Sequence, residues 1–350
     1  MTVTGARFST EEATVPVGAV EMIHGSGGRA TAELVRNLFH RHLGNAFLAQ
    51  GNDQAAFDVR AGRLVMTTDA HVIAPLFFPG GDIGSLAING TINDVATAGA
   101  RPLYLSAAFV LEEGFPLADL DRIVASMAHA SREAGVPVVT GDTKVVEKGK
   151  GDGVFITTTG IGFVPEGVHI SGDKARPGDA ILVSGTLGDH GIAVLSKREN
   201  LGFETEILSD SAALHGLVAD MVAAVPAIHC LRDPTRGGLG STLNEIAQQS
   251  RVGIRLIESA IPFKADVLAA CELLGLDPLY IANEGKLVAI CEKGDAKRLL
   301  AAMRAHPLGR DAAFIGEIVA DSHAFVQMQT RFGGNRMVDW LLGDPLPRIC

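Results

Sequence analysis

Strand-like and helix-like runs follow one another along this chain in no regular alternation, and that order constrains the fold more than any single motif. Strand-like apolar runs fall at Arg63–Thr68, Tyr104–Leu111, Val136–Thr140 and Val154–Phe163. Two helical patterns lie between them. One covers about Ser85 to Ala98. The other runs from Leu117 to Ala134, with Leu117, Leu120, Ile123, Val124 and Met127 on one face and Gly135 as its stop. The mixed order reads as α+β rather than a regular βαβ repeat. Ser171 to Asp179 is polar, carries Gly172, Pro177 and Gly178, and marks a domain boundary. Beyond it, strands are expected at Ala180–Ser184, Gly253–Ile257, Lys286–Cys291 and Phe314–Val319. Helices are expected at Asp210–Ala224, Leu239–Gln249, Ala265–Leu274 and Asp295–His306, and the chain closes with Phe325–Gln329 and Met337–Trp340. The expected division is a mobile segment 1–20, a first domain 21–170, a second α+β domain 171–340 and a flexible tail 341–350. The length of 350 residues lets each domain bury a core.

Composition narrows the function. Hydrophobic residues make up 47% and charged residues 20%, the balance of a globular chain. Thirty basic against forty acidic residues give a net charge of −10, with no basic cluster, so nucleic acid is not an expected partner. The longest apolar runs are interrupted by Asp94 and Arg101, or by His215 and Asp220, so no membrane span is expected. Met1 to Glu12 lacks a basic segment followed by an apolar one, and no signal peptide is expected. Cys230, Cys271, Cys291 and Cys350 show no CxxC spacing. That argues against a zinc site or a disulfide framework and fits a reducing cytosol.

Acidic residues recur at predicted strand ends, turns and helix ends: Asp53, Asp69, Asp94, Asp142 and Asp233. Hard oxygen ligands, few in number, are what a Mg²⁺–triphosphate site requires. Aspartate also favours turns and caps, so each one alone is equally a structural residue. Gly25, Gly27 and Gly28 form a glycine-rich loop ahead of a helix through Leu34, Val35 and Leu38, able to cradle phosphate with backbone N–H groups. No Gly-Lys-Ser/Thr follows, so it is not a Walker A loop. Gly185, Gly188 and Gly191 form a second pattern of the same ambiguity. Lys144 lies two residues beyond Asp142 and faces the same way if the segment is extended. Glu284 precedes a strongly apolar strand, and His71 follows Asp69 by two; each is also read as a surface or capping residue.

The chain ends in Pro347-Arg348-Ile349-Cys350. A prenylated cysteine stands four places from the end, so that reading fails. Pro345 and Pro347 favour an extended Gly343–Cys350, reaching roughly 25–30 Å. Either the terminus frays and its cysteine is incidental, or it is an arm carrying a group on sulfur.

Together, Asn93 to Pro102, Gly141-Asp142-Thr143-Lys144-Val145, Arg232 to Leu239 and the terminal Pro-Arg-Ile-Cys resemble the HypE family of hydrogenase expression/formation proteins. That family lies within the aminoimidazole ribonucleotide (AIR) synthetase superfamily, beside thiamine-monophosphate kinase and selenophosphate synthetase. The resemblance runs from about Gly25 to Cys350. It implies an AIR-synthetase-like fold of two α+β domains, with two N-terminal ATP-binding domains pairing into a β-barrel across a homodimer. It implies that the carbamoyltransferase HypF loads a carbamoyl group onto Cys350, that ATP drives its dehydration to a thiocyanate, and that the HypC–HypD complex accepts the cyanide for a nickel–iron hydrogenase. Carried over by position, Asp53, Asp69, Asp94 and Asp142 match the metal ligands. With Gly25, Gly27, Gly28 and Asp233 they match the Mg²⁺–ATP site. Cys350, Glu284, Lys144 and His71 match the catalytic group. Some relatives carry paired acids where this chain has Asn52-Asp53, which leaves the metal count open. The alternatives are another ATP-using enzyme of the superfamily, such as a small-metabolite kinase, or a non-catalytic carrier presenting Cys350.

Overall fold

The computed structural model describes residues 17–52, 54–58, 62–201, 206–341, 343 and 348–349. Expectations for the first sixteen residues, for Asp53 and for Cys350 lie outside them. After a single turn at Met22–Gly25, one helical stretch begins as α1 (Arg29–Leu34), passes a π-turn at Val35–Phe39 and ends as α2 (His40–Leu43). Next come β1 (Arg63–His71), the hairpin β2 (Phe77–Phe78) and β3 (Gly81–Asp82), α3 (Ile83–Thr97), β4 (Arg101–Glu112), α4 (Leu117–Ala134), β5 (Val138–Val146) and β6 (Val154–Val164). The second half runs β7 (Ala180–Val183), α5 (Asp189–Arg198), α6 (His215–Ala224), β8 (Cys230–Arg232), α7 (Gly238–Ser250), β9 (Gly253–Ile257), α8 (Ala265–Leu274), β10 (Val288–Cys291), α9 (Ala296–Ala305), β11 (Ala313–Val319), β12 (Val326–Gln329) and β13 (Asn335–Met337).

The first sheet has the order β1-β6-β4-β5, antiparallel except for the β4–β5 pair. Period-two alternation sends Val65, Thr67, Asp69 and His71 to the helix-covered side. Leu64, Met66, Thr68 and Ala70 take the other side, which remains open; Met66 is 71% exposed there. α3 lies beneath this sheet. Asp82 starts it with a capping box, accepting from the Gly84 and Ser85 N–H groups at 2.7 and 3.0 Å while the Ser85 hydroxyl accepts from the Asp82 N–H. Its apolar residues are buried all round, because the sheet, α4 and the second half of the chain each cover one side.

The second sheet has the order β13-β12-β9-β11-β7-β10-β8, with only β12–β9 parallel. Its central strands are buried on both faces. Ile181 and Val183 pack against Leu239, Leu243 and Ile246 of α7, whereas Leu182 packs against α6 and α9 through Leu217, Met221 and Met303. The two halves share a core: Ile192 and Val194 of α5 and Val267 of α8 join the cluster built on α3 and α4.

Several expected boundaries shift, each for a local reason. β1 runs on to His71, so Asp69 lies inside a strand. β5 extends to Val146 by pairing with β4, so Asp142 is also mid-strand. α6 begins at His215, not Asp210, because Ser209 and Asp210 are used in side-chain contacts described below. The strand expected from Lys286 begins at Val288, and the last strand is Asn335–Met337. The three residues of β8 and the β2–β3 hairpin are too short to leave a periodic signal. Among the described residues no helix is long and apolar enough to cross a membrane.

Candidate active site

The helix-facing side of β1, the middle of α3, the loop after β8 and the loop before β10 meet at one cavity of about 120 Å³. Asp69 and His71 come from β1, Asp94 and Gly90 from α3, Asp233 and Arg236 from the loop before α7, and Glu284 from the loop before β10. Gly90 keeps it open: a Cβ there would stand 3.3 Å from His71 Cε1, 3.6 Å from Asp69 Oδ2 and 3.8 Å from Glu284 Oε2. The Thr67 hydroxyl donates to Asp94 Oδ2 at 2.8 Å, and His71 Nε2 lies 3.3 Å from Thr158 Oγ1 and 3.8 Å from Asp69 Oδ2.

Two buried asparagines hold the Glu284 loop. Asn93 Nδ2 donates to the carbonyls of Glu284 and Ala212, both at 3.0 Å, and Asn93 Oδ1 accepts from the Leu214 N–H at 2.7 Å. Asn283 Nδ2 donates to the Pro234 and Ile281 carbonyls at 2.8 and 3.0 Å. Asp210 accepts from the Glu284 N–H through Oδ1 at 3.0 Å, and its Oδ2 pairs with Lys286 Nζ at 3.2 Å. The roles of Asn93, Asp210, Lys286 and Arg236 were not read from the sequence. Asn93, beside Asp94, and Arg236, within Arg232 to Leu239, both fall in the stretches that carry the resemblance, which is the available signal.

Four carboxyl groups crowd this cavity, with Arg236 the cationic side chain lining it. Burial, then Asp233 and its neighbouring acids, push Glu284 well above the ordinary glutamate range. Asp233 is pushed up to about 7 by desolvation and by Asp94. Asp94 is raised by desolvation, which outweighs its bond from Thr67. His71 is held low by burial despite Asp69, so its ring is neutral. Between the unfolded value near 3.8 and the folded value near 7, the native state binds more protons at Asp233 than the unfolded state does. Stability from this group therefore falls as pH rises through that window. Asp233→Asn should raise the melting temperature of the nucleotide-free protein at pH 7–8 and have little effect near pH 4. A melt series across that range checks it; a variant less stable at pH 8 would contradict the crowding.

Lys144 and Asp142 do share a face, as their spacing predicted, and pair at 2.8 Å, both 64% exposed. Within one chain, however, they do not join the cavity. Asp142 pairs in register with Ala108, so it stands on the open side of the sheet, and β5 and β1 are opposite edges. The glycine loop belongs with this second group. A Cβ on Gly25 would fall 2.7 Å from the Val145 backbone nitrogen, so the loop lies against β5, next to Lys144. Beside it is a cavity of about 290 Å³ that includes Thr31, Phe39, Asn52 and Asp142 in its lining. Among the described residues, no three His, Cys, Asp or Glu side chains enclose a metal ion by themselves.

The expectation of a free tail is not met at Arg348 and Ile349. Ile349 is 3% exposed and belongs to the shared core, with its carbonyl held by His190 of α5. The Arg348 carbonyl accepts from Arg198 Nη2 at 2.7 Å and from the Ala74 N–H at 3.2 Å, and its guanidinium pairs with Asp152. Both residues line a cavity that shares Ala70 and Arg236 with the carboxylate cavity.

Two α+β domains meeting at a carboxylate-lined cavity define a class. Residues 51–164 match the model of the AIR synthase related protein N-terminal domain, and residues 176–329 match that of its C-terminal domain. The chain is 72% identical over 333 residues to the carbamoyl dehydratase HypE of Azotobacter vinelandii, covering 95% of this chain and 98% of that one. It superposes on the crystal structure of hydrogenase maturation protein HypE in complex with ATP with a TM-score of 0.91 at 50% identity, covering 94% of this chain and 99% of that one. Against a HypE chain in a HypE–HypF complex the TM-score is 0.78 at 48% identity, covering 88% and 99%. The chain belongs to the HypE family of carbamoyl dehydratases, within the AIR synthase related proteins.

Proposed function

We propose that this chain uses ATP to dehydrate a carbamoyl group carried on the Cys350 thiol to a thiocyanate, supplying cyanide for a nickel–iron hydrogenase centre. The observation that carries the reading is the cavity of Asp69, Asp94, Asp233 and Glu284, bordered by the residues that precede Cys350. An amide oxygen is a poor leaving group. Moving the γ-phosphoryl group onto that oxygen lets it depart as phosphate, and loss of both N–H protons closes the C≡N bond. The balance is thiocarbamate plus ATP to thiocyanate, ADP and phosphate.

The donor set fits Mg²⁺. It is all hard oxygen, and a Mg²⁺ ion keeps waters and phosphate oxygens, so no closed protein cage is needed. Asp69 and Asp94 would hold the ion, with Asp53 and Asp142 as further ligands. Bound Mg²⁺ supplies positive charge on the triphosphate, which is the main requirement of phosphoryl transfer. Glu284 would take a proton from the substrate nitrogen, and nearby positive charge would favour its ionised form. Asp233 would border the triphosphate, and neutral His71 would orient Asp69. Lys144 and Arg236 oppose negative charge developing on oxygen and phosphate.

Asp142, Lys144 and the loop of Gly25, Gly27 and Gly28 reach this chemistry from a second copy. The open sheet face carries Leu64, Met66 and Val110 at 43, 71 and 37% exposure. Covering these in a barrel across a homodimer sets the β5 edge of one chain against its partner, with ATP between. With the division at 21–170 and 171–340, the first part is the nucleotide and dimer domain, and the second joins it in holding the tail. HypF is the carbamoyl donor, in keeping with the HypE–HypF complex, and HypC–HypD the cyanide acceptor in a reducing cytosol. The test is ADP release by carbamoylated protein, unmodified protein and Cys350→Ala. One ADP per chain is expected from the first alone. Equal release from all three would reduce the protein to an ATPase whose terminal cysteine is incidental.

A further inference from the structure

His190 is fully buried and takes no part in the chemistry above. It sits in the Gly185–Gly191 stretch, in the first turn of α5. Its Nε2 lies 2.8 Å from the Ile349 carbonyl and its Nδ1 lies 2.8 Å from Ser209 Oγ. A carbonyl only accepts, so Nε2 carries the proton of that bond. Burial, the largest influence, lowers the ring's pKa against Asp210 and the Ile349 bond, so the ring is neutral and holds one proton. Nδ1 therefore accepts, and the Ser209 hydroxyl donates to it while accepting from the Ser211 N–H at 3.1 Å. The turn at Ser209 thus sets the tautomer that holds the tail. Phe78 packs on the ring with centroids 5.4 Å apart, fixing its plane.

The same parts reach Glu284 by two routes. Asp210, next to Ser209, accepts from the Glu284 N–H. α5 also starts against the loop before Glu284: the Gly188 N–H donates to Asn283 Oδ1 at 2.7 Å, and the Gly191 N–H to the Ala282 carbonyl at 3.0 Å. That approach requires glycine, since a Cβ on Gly191 would stand 2.5 Å from Ile281 Cγ2.

We propose that His190 is a positioning residue. Its Nε2–H seats the C-terminal segment on its own chain through the Ile349 carbonyl, in fixed relation to the loop that bears Glu284. The activity part of this proposal rests on the dehydration described above; the seating does not.

The test uses full-length protein as wild type, His190→Phe, His190→Gln and Ser209→Ala. Hydrogen–deuterium exchange of the C-terminal peptide reads the seating. Exchange should quicken about tenfold in His190→Phe, which keeps the aromatic packing but loses the donor. It should quicken less in Ser209→Ala and stay near wild type in His190→Gln, whose amide can donate to the same carbonyl. Single-turnover dehydration should slow by a similar factor in His190→Phe, with transfer of the carbamoyl group onto Cys350 unchanged. If His190→Phe does not fold, the contrast between Ser209→Ala and His190→Gln decides. Unchanged exchange in His190→Phe and Ser209→Ala overturns the seating. Faster exchange with unchanged dehydration, or equal loss of transfer and dehydration, overturns the positioning role. Absence of dehydration in wild type would mark a failure of the functional reading, and the exchange data would still decide the seating.

Discussion

Glu284→Gln should lose ATP-dependent dehydration while Cys350 still accepts a carbamoyl group. Glutamine preserves volume and the loop's backbone bonds, so the change is confined to the carboxyl group. A general base contributes roughly 10²–10⁴-fold, and a single-turnover assay on pre-carbamoylated protein should show a fall in that range. The empty variant should be at least as stable as wild type at pH 7–8, because one of four crowded acids is gone. A variant that dehydrates at the wild-type rate would remove Glu284 from the reaction.

The second large effect belongs to a residue without direct chemistry. Asn93→Leu should destabilise the protein by about 3–5 kcal/mol. Two buried groups, the Glu284 carbonyl and the Leu214 N–H, lose their partner together with the half-buried Ala212 carbonyl. Each unsatisfied buried group costs about 1–3 kcal/mol, and neighbours do not add fully. Because one of those bonds locates Glu284, dehydration should fall as well. Urea unfolding at pH 7 measures the first effect; a loss below about 1 kcal/mol would show that water or a rearranged loop replaces the asparagine.

The sequence carried the parts of this account that rest on residue type and periodicity. Leu117–Ala134 was legible in full, since its apolar face is amphipathic and Gly135 adopts the left-handed stop. Lys144 and Asp142 share a face because β5 alternates with period two. What could not be read was the face itself. Asp69 and Asp142 look equivalent in sequence, and only the strand order and the Ala108–Asp142 register put them on opposite sides of the sheet. α3 was placed only approximately, because a helix buried all round has a weak amphipathic stripe. His190, Asp210 and Lys286 gave no signal as single residues in loops and first turns; their meaning comes from partners up to 159 positions away. The tail's prolines suggested extension, but the pocket that receives Ile349 is built from both halves of the chain and no local pattern encodes it.

The most direct test of the account is the intact mass of the protein through one cycle. The chain is incubated with HypF, carbamoyl phosphate and ATP, separated, and then given fresh Mg²⁺–ATP, beside a Cys350→Ala control. A carbamoyl adduct should form on Cys350 and lose the mass of one water only when ATP is present. An adduct that persists in Cys350→Ala, or one on Cys350 that is unchanged by ATP, would contradict it.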